Sequence, residues 1–230
     1  MKTLQADFNY HGKVAVFDLD DTLYKERDYA ISGFKAAASL FSDNPFEEML
    51  KAFNEGRNSL DAALASTSDN NPPSISEMLS AYRNHIPEIC LSEGAKEMLS
   101  SLSDAGIALG LVTDGRSISQ RNKINALGIK QFFDEKLIII SEEAGGDKMS
   151  GKGFRQIVRM LPEASLFYYI ADNPAKDFYM PNLMGWTTIQ LLYRPEINIH
   201  PSVPIVDEDF KPTHKAETFK EITELILNTI

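Results

Sequence analysis

Asp18 and Asp20 straddle a single residue in the run Val14-Ala15-Val16-Phe17-Asp18-Leu19-Asp20-Asp21-Thr22-Leu23, where four apolar residues give way to three carboxylates and a hydroxyl within five positions. That spacing lets both acids aim at a single cation or a single reacting phosphorus. Paired acids repel one another unless a metal neutralises them, so the feature is costly as structure and useful as chemistry. The plain alternative is an Asp-rich turn with a Thr helix cap. Four more polar groups, in three segments further along the chain, weigh against that alternative.

Thr113 lies in Leu111-Val112-Thr113-Asp114-Gly115, Lys148 a few residues past Leu137-Ile138-Ile139-Ile140, and Asp172 and Asp177 in Ile170-Ala171-Asp172-Asn173-Pro174-Ala175-Lys176-Asp177. Taken singly, these read as a strand-end cap, a solvated lysine, an N-cap and a helix-face charge. Together they make an inventory for phosphoryl transfer. One carboxylate can take the phosphoryl group and split a hard displacement into two easier ones. A second can protonate the leaving oxygen and then deprotonate water. Oxygen-rich acids suit Mg²⁺, and a hydroxyl and an ammonium can hold phosphoryl oxygens as charge shifts in the transition state.

The elements that must position these groups follow from apolar runs and their punctuation. Short buried-strand runs occur at 14–17, 107–112, 137–140, 166–170 and 187–191. Helical spacing marks 93–105 (stopped by Gly106), 117–127 (stopped by Gly128), 151–161, 175–184 despite Pro181, and a closing helix over 215–230. Such alternation predicts a parallel sheet with helices on both faces, and parallel strands bring their C-terminal ends to one crevice. The interval 24–91 breaks the pattern: helical segments at 29–41, 45–56 and 76–83, a turn-rich link at 66–73 and no strand. The expectation is α/β, a Rossmann-like parallel sheet core over residues 1–23 and 92–230 with a small all-helical cap domain over 24–91. The Pro-rich stretch 195–213 reads as a surface connection.

Composition narrows the partners. The 230 residues carry 23 Lys and Arg against 33 Asp and Glu, a net charge of −10, so no basic stripe exists to bind nucleic acid. No apolar stretch approaches a membrane span. The amino-terminal residues lack the pattern of a signal peptide. Cys90 is the single cysteine, which excludes an internal disulfide and a cysteine zinc site and reads as a small buried hydrophobe. These points lead us to expect a cytoplasmic protein.

In the order and type of its four signatures, the chain resembles the haloacid dehalogenase superfamily of phosphatases, in the branch with a helical cap inserted after the first motif. The signatures are Phe17 to Leu23, Leu111 to Gly115, Ser141-Glu142-Glu143 through Lys148, and Ile170 to Asp177, and the likeness spans roughly residues 13–192. The resemblance implies that Asp18 is the nucleophile and Asp20 the general acid and base. Thr113, Asp114 and Lys148 would hold the phosphoryl group, and Asp21 would offer it a backbone amide. Mg²⁺ would be held by the Asp18 carboxylate, the Asp20 carbonyl and Asp172, with Asp177 in or beside its coordination sphere. Ala171 stands where the family usually has Gly, Met149 where Pro commonly follows the lysine, and Lys152 competes with Lys148 for its role.

The implied substrate is a small phosphorylated metabolite, typically a sugar phosphate or a nucleoside monophosphate. Carbon–halogen hydrolysis is disfavoured, because halide leaves unprotonated and would not need Asp20. A phosphoryl mutase uses the same acids, and a non-catalytic module could retain the fold. In the insert, Arg27 is the leading candidate for substrate contact, ahead of Tyr24, Tyr29, Arg57, Tyr82, Arg83 and His85.

Overall fold

The computed structural model describes residues 12–192, 198–199, 205 and 207–229. Mostly apolar runs form strands covered on both faces, with Thr188 and Gln190 as buried polar exceptions in the fifth. Those strands are β1 (Lys13–Phe17), β2 (Ala108–Thr113), β3 (Ile138–Ile140), β4 (Leu166–Ala171) and β5 (Thr187–Leu191), joined by a short β6 (His214–Ala216). Every pairing is parallel, in the order β3-β2-β1-β4-β5-β6. Phe17, the last residue of β1, pairs with Leu111 on one side and Ile170 on the other.

Ten α-helices, with four 3₁₀ turns of three residues each, complete the described chain: α1 (Glu26–Ala38), α2 (Phe46–Asn54), α3 (Ser59–Ser66), α4 (Ile75–Asn84), α5 (Ala95–Asp104), α6 (Ser117–Ala126), α7 (Ser141–Ala144), α8 (Lys152–Met160), α9 (Tyr179–Leu183) and α10 (Phe219–Asn228). Successive strand residues point to opposite faces. Ala15, Phe17, Leu109, Leu111 and Ile170 therefore pack against Met98, Leu99 and Leu102 of α5 and Ile222 and Ile226 of α10. Val14, Val16, Val112, Ile139 and Tyr169 pack on the other face against Phe154 and Ile157 of α8, with Phe178 and Trp186. The sheet order reverses direction between β1 and β4, and ligands of doubly wound sheets bind at that switch point, outside the carboxyl ends of the strands. Asp18 follows β1 and Asp172 follows β4, one on each side of it.

Helices α1 to α4 all lie between β1 and β2 and share a separate apolar cluster of Ala30, Phe34, Ala37, Ala38, Phe41, Met49, Ala63 and Met78. The chain enters and leaves them side by side: Tyr24 bridges Leu91, and the Ser92 amide donates to the Leu23 carbonyl at 2.9 Å. Gly33, in the middle of α1, lies against Tyr82 of α4. A Cβ at Gly33 would sit 2.4 Å from the Tyr82 ring. Alanine normally gains about 1 kcal/mol over glycine inside a helix, but overpacking costs roughly 1–3 kcal/mol. Gly33→Ala is therefore expected to destabilise the protein in a denaturant titration, and a gain in stability would contradict this packing.

Several elements differ from the sequence expectation. The helix expected over 175–184 is only α9, because Asn173 accepts the amides of Lys176 and Asp177 in a turn. Pro181 is tolerated in the first turn of α9, where its missing N–H is not needed. The closing helix starts at Phe219, and the three residues of β6 before it pair with β5 at the sheet edge. α3 was not anticipated; Asn58 caps it by accepting the amides of Leu60 and Asp61. Cys90 is exposed rather than buried, on the segment leaving the insert. Of the 195–213 stretch, residues 195–197, 200–204 and 206 lie outside the described residues, but Asn198 is buried against the site rather than running over the surface. No helix among the described residues is long and apolar enough to cross a membrane.

Candidate active site

The turn after β1 sets the centre. The Asp18 amide continues the β1–β4 ladder by donating to Ile170 at 2.9 Å, and Leu23 N–H reaches back to the Leu19 carbonyl at 3.0 Å. Asp21 takes a left-handed conformation with φ 55°, which Asp tolerates better than most residues because its short side chain bonds locally. Its carboxylate accepts the amides of Glu26 and Ile199, both at 2.9 Å.

Asp18, Asp172 and Asp177 each offer a carboxylate oxygen, all within 4.8 Å of one another. Lys148 reaches into the same space, with Nζ 2.6 Å from Asp18 Oδ1 and 2.7 Å from Asp177 Oδ1. The Lys148 side chain has no solvent exposure. Burial works against its ammonium, but Asp177 and Asp18 lift its pKa well above the ordinary lysine range. Burial raises Asp18 while Lys148 opposes the rise. Burial, then Asp18 and Asp177, push Asp172 up to about 8. Three carboxylates thus face one ammonium, and an all-oxygen donor set with surplus negative charge fits a hard divalent cation.

The raised Asp172 value has a consequence for the metal-free protein. The unfolded chain loses this proton near pH 4 and the folded chain near pH 8, so stability falls as pH rises through that window. Asp172→Asn is expected to raise the melting temperature in EDTA by several degrees at roughly pH 8 and to leave it nearly unchanged at pH 4. Equal effects at the two pH values would contradict the crowding of acids here.

The loops after β2 and β3 bring the remaining groups. Thr113 ends β2 and is 1% exposed. The Asp114 side chain accepts the Lys148 amide at 3.0 Å, so it anchors the lysine's backbone across the two loops. Lys152, the competitor for the lysine's role, points to the Gly145 carbonyl at 2.6 Å. Asp20 stands apart from the acidic triad. Its Oδ1 accepts Lys123 Nζ at 2.7 Å and the Tyr24 hydroxyl, and its Oδ2 accepts Gln120 Nε2 at 2.9 Å. Burial alone would raise Asp20, but Lys123, Gln120 and Tyr24 hold its carboxyl below the usual range. Gln120 Nε2 also donates to Thr113 Oγ1 at 2.7 Å and the Asp114 carbonyl at 2.8 Å. A side chain at Gly115 would meet Gln120 at 3.1 Å, in a backbone with φ 148°, so glycine leaves this amide its place.

Lys123, Gln120 and Asn198 escaped the sequence reading, and Tyr24, a candidate there for substrate contact, instead bonds Asp20. Asn198 donates to Asp172 Oδ2 at 3.1 Å. A signal for two of them existed: the inward residues of α6 include Gln120 and Lys123 beside Ile124, a polar face where a packing helix shows apolar residues. Arg27, by contrast, lies over the Phe53 ring at 5.1 Å and bonds Asn54 within the insert.

Fold and site together define a class: α/β proteins that gather carboxylates and one buried lysine at the switch point of a doubly wound sheet. The family model of haloacid dehalogenase-like hydrolases matches residues 15–191, and the chain belongs to that family. It is 29% identical over 197 residues to the glyceraldehyde 3-phosphate phosphatase of Methanocaldococcus jannaschii, covering 78% of this chain and 85% of the relative. The enzyme of the same name from Methanopyrus kandleri is 30% identical over 200 residues, with 78% and 83% covered. Among solved structures, the HAD-hydrolase YfnB of Bacillus subtilis, bound to magnesium, superposes with a TM-score of 0.64 at 21% identity, covering 96% of this chain and 100% of YfnB. Within its family the chain is a phosphoric monoester hydrolase.

Proposed function

We propose that this protein is a Mg²⁺-dependent phosphatase that hydrolyses a small phosphorylated metabolite through a phosphoryl group carried on Asp18. The observation that carries this reading is the convergence of Asp18, Asp172, Asp177 and Lys148 across the β1–β4 switch point. Asp18 attacks phosphorus, and Asp20, which takes up a proton once the negative charge of the bound ester stands beside it, gives that proton to the departing oxygen. Asp20 then takes a proton from the water that attacks the phosphoryl group, returning Asp18 to its free form. Lys148 and Thr113 hold the phosphoryl oxygens, with the Asp114 and Asp21 amides as further donors. Asp18 and Asp172, with the Asp20 carbonyl, would hold the cation, and Asp177 fixes Lys148 beside it. When bound, Mg²⁺ supplies positive charge that offsets repulsion between the acids and a phosphate dianion.

Residues 24–91 are a helical cap domain over this centre, entered and left by the paired segments at Tyr24 and Leu91. A lid suits a reaction that needs water excluded during attack and admitted afterwards. The phosphatase relatives support water as the phosphoryl acceptor, and Asp20 supports an oxygen leaving group. Three-carbon phosphates such as glyceraldehyde 3-phosphate are the first substrates to assay. The single Cys90 suits a reducing compartment such as the cytoplasm.

The purified protein is expected to release phosphate from p-nitrophenyl phosphate when Mg²⁺ is present and to stop when EDTA is added, with activity restored by excess Mg²⁺. Turnover that persists after chelation and dialysis would contradict the metal assignment.

A further inference from the structure

Asp20 is fixed more firmly than a general acid requires for charge alone. Of the four lone-pair directions of a carboxylate, Lys123 and Tyr24 occupy two on Oδ1 and Gln120 one on Oδ2. That leaves one on Oδ2 to carry a transferred proton. Gln120 and Lys123 lie three residues apart on α6, hence on one face of it. Lys123 is 5% exposed and is itself held from the other side. Its ammonium sits 4.1 Å from the ring centroid of Tyr29, in α1 of the insert, and 6.0 Å from that of Tyr24.

Tyr29 in turn packs edge-on to Tyr82 of α4 at 5.5 Å. The neighbouring residues of α6 make the same join: Asn122 donates to the His85 carbonyl at 3.0 Å and Ser119 to the Arg83 carbonyl at 3.2 Å, both at the end of α4. One helix of the core therefore grips the acid through Gln120 and Lys123 and the insert through Ser119, Asn122 and Lys123. Lys123 alone touches both.

The geometry points to Lys123 as a positioning residue that sets the Asp20 carboxyl against the leaving oxygen, with Tyr29 of the insert making that setting depend on how the insert is seated. This rests on the reading of Asp20 as the general acid. An ion pair that served stability alone would not care which leaving group departs. A positioning residue does, because misplacing the acid hurts most where the departing oxygen needs its proton.

The test uses the full-length protein with Mg²⁺ and a series of aryl and alkyl phosphates of increasing leaving-group basicity. Lys123→Met keeps the aliphatic stem and is expected to lose about 100-fold in kcat on alkyl phosphates. Its loss on p-nitrophenyl phosphate should be no more than about fivefold, and KM should move little. Tyr29→Leu should show a smaller loss with the same dependence, while Lys123→Arg and Tyr29→Phe retain most of the activity. If Lys123→Met does not fold, Tyr29→Leu against Tyr29→Phe carries the comparison. A loss uniform across the series, or no loss, overturns the inference when Asp20→Asn in parallel is leaving-group dependent. If Asp20→Asn is itself uniform across the series, the acid assignment falls and this inference with it.

Discussion

Asp18→Asn is expected to lower turnover of any phosphate ester by at least about 10⁴-fold while leaving the fold intact, because a neutral amide cannot take the phosphoryl group and no second step begins. The substitution is nearly isosteric. The side-chain oxygen that faces Lys148 at 2.6 Å remains an acceptor, and one of three crowded carboxylates loses its charge. Thermal stability in EDTA should therefore be unchanged or raised, which separates lost chemistry from lost structure. Kinetics and a melting curve on the same preparation check both halves. A variant turning over within tenfold of the parent would exclude Asp18 as the nucleophile.

The second large effect is structural. Lys148→Met fills a similar volume but removes the only side-chain cation within ion-pair reach of Asp18 and Asp177 among the described residues. Asp177 is fully buried and Asp18 is 3% exposed. Breaking a buried ion pair by deleting one partner costs about 3–5 kcal/mol, because the other charge is left uncompensated. Here two carboxylates are left. A domain of this size shifts its melting temperature by about 2–4 °C per kcal/mol, so a fall of roughly 6–20 °C is expected in EDTA. Mg²⁺ should recover part of it by supplying the missing positive charge. Turnover should be lost in either condition. A melting temperature within a degree or two of the parent would show that the lysine is not sealed between these acids.

The parts of this centre that could be read from the chain are those whose local sequence forces their placement. Val14 to Phe17 has no polar residue with which to face water, so it forms a central strand and Asp18 falls at its end. The same logic places Thr113 and Asp172. Lys148 follows its strand through a turn and a short helix, yet it was still legible from its spacing to Ser141. What could not be read depends on contacts across long stretches of chain. Lys123 and Asp20 are 103 residues apart and Asn198 and Asp21 are 177 apart, and no local pattern marks either pair.

Short elements were lost for a different reason. The three residues of β6, two of them polar at an edge, are too few to show a periodicity, and the eight residues of α3 take their helical state from the Asn58 cap and from packing by Ala63. Arg27 looked well placed because it is near the insert's entry in sequence. In the structure its guanidinium lies over the Phe53 ring and bonds Asn54 within the insert.

Acid quenching during turnover with Mg²⁺, followed by mapping of the phosphorylated peptide, tests the central claim most directly. A single phosphoryl adduct on the Asp18 side chain, absent from Asp18→Asn, is the expected result. Steady hydrolysis with no adduct on any aspartate, or with the adduct on a residue other than Asp18, would contradict it.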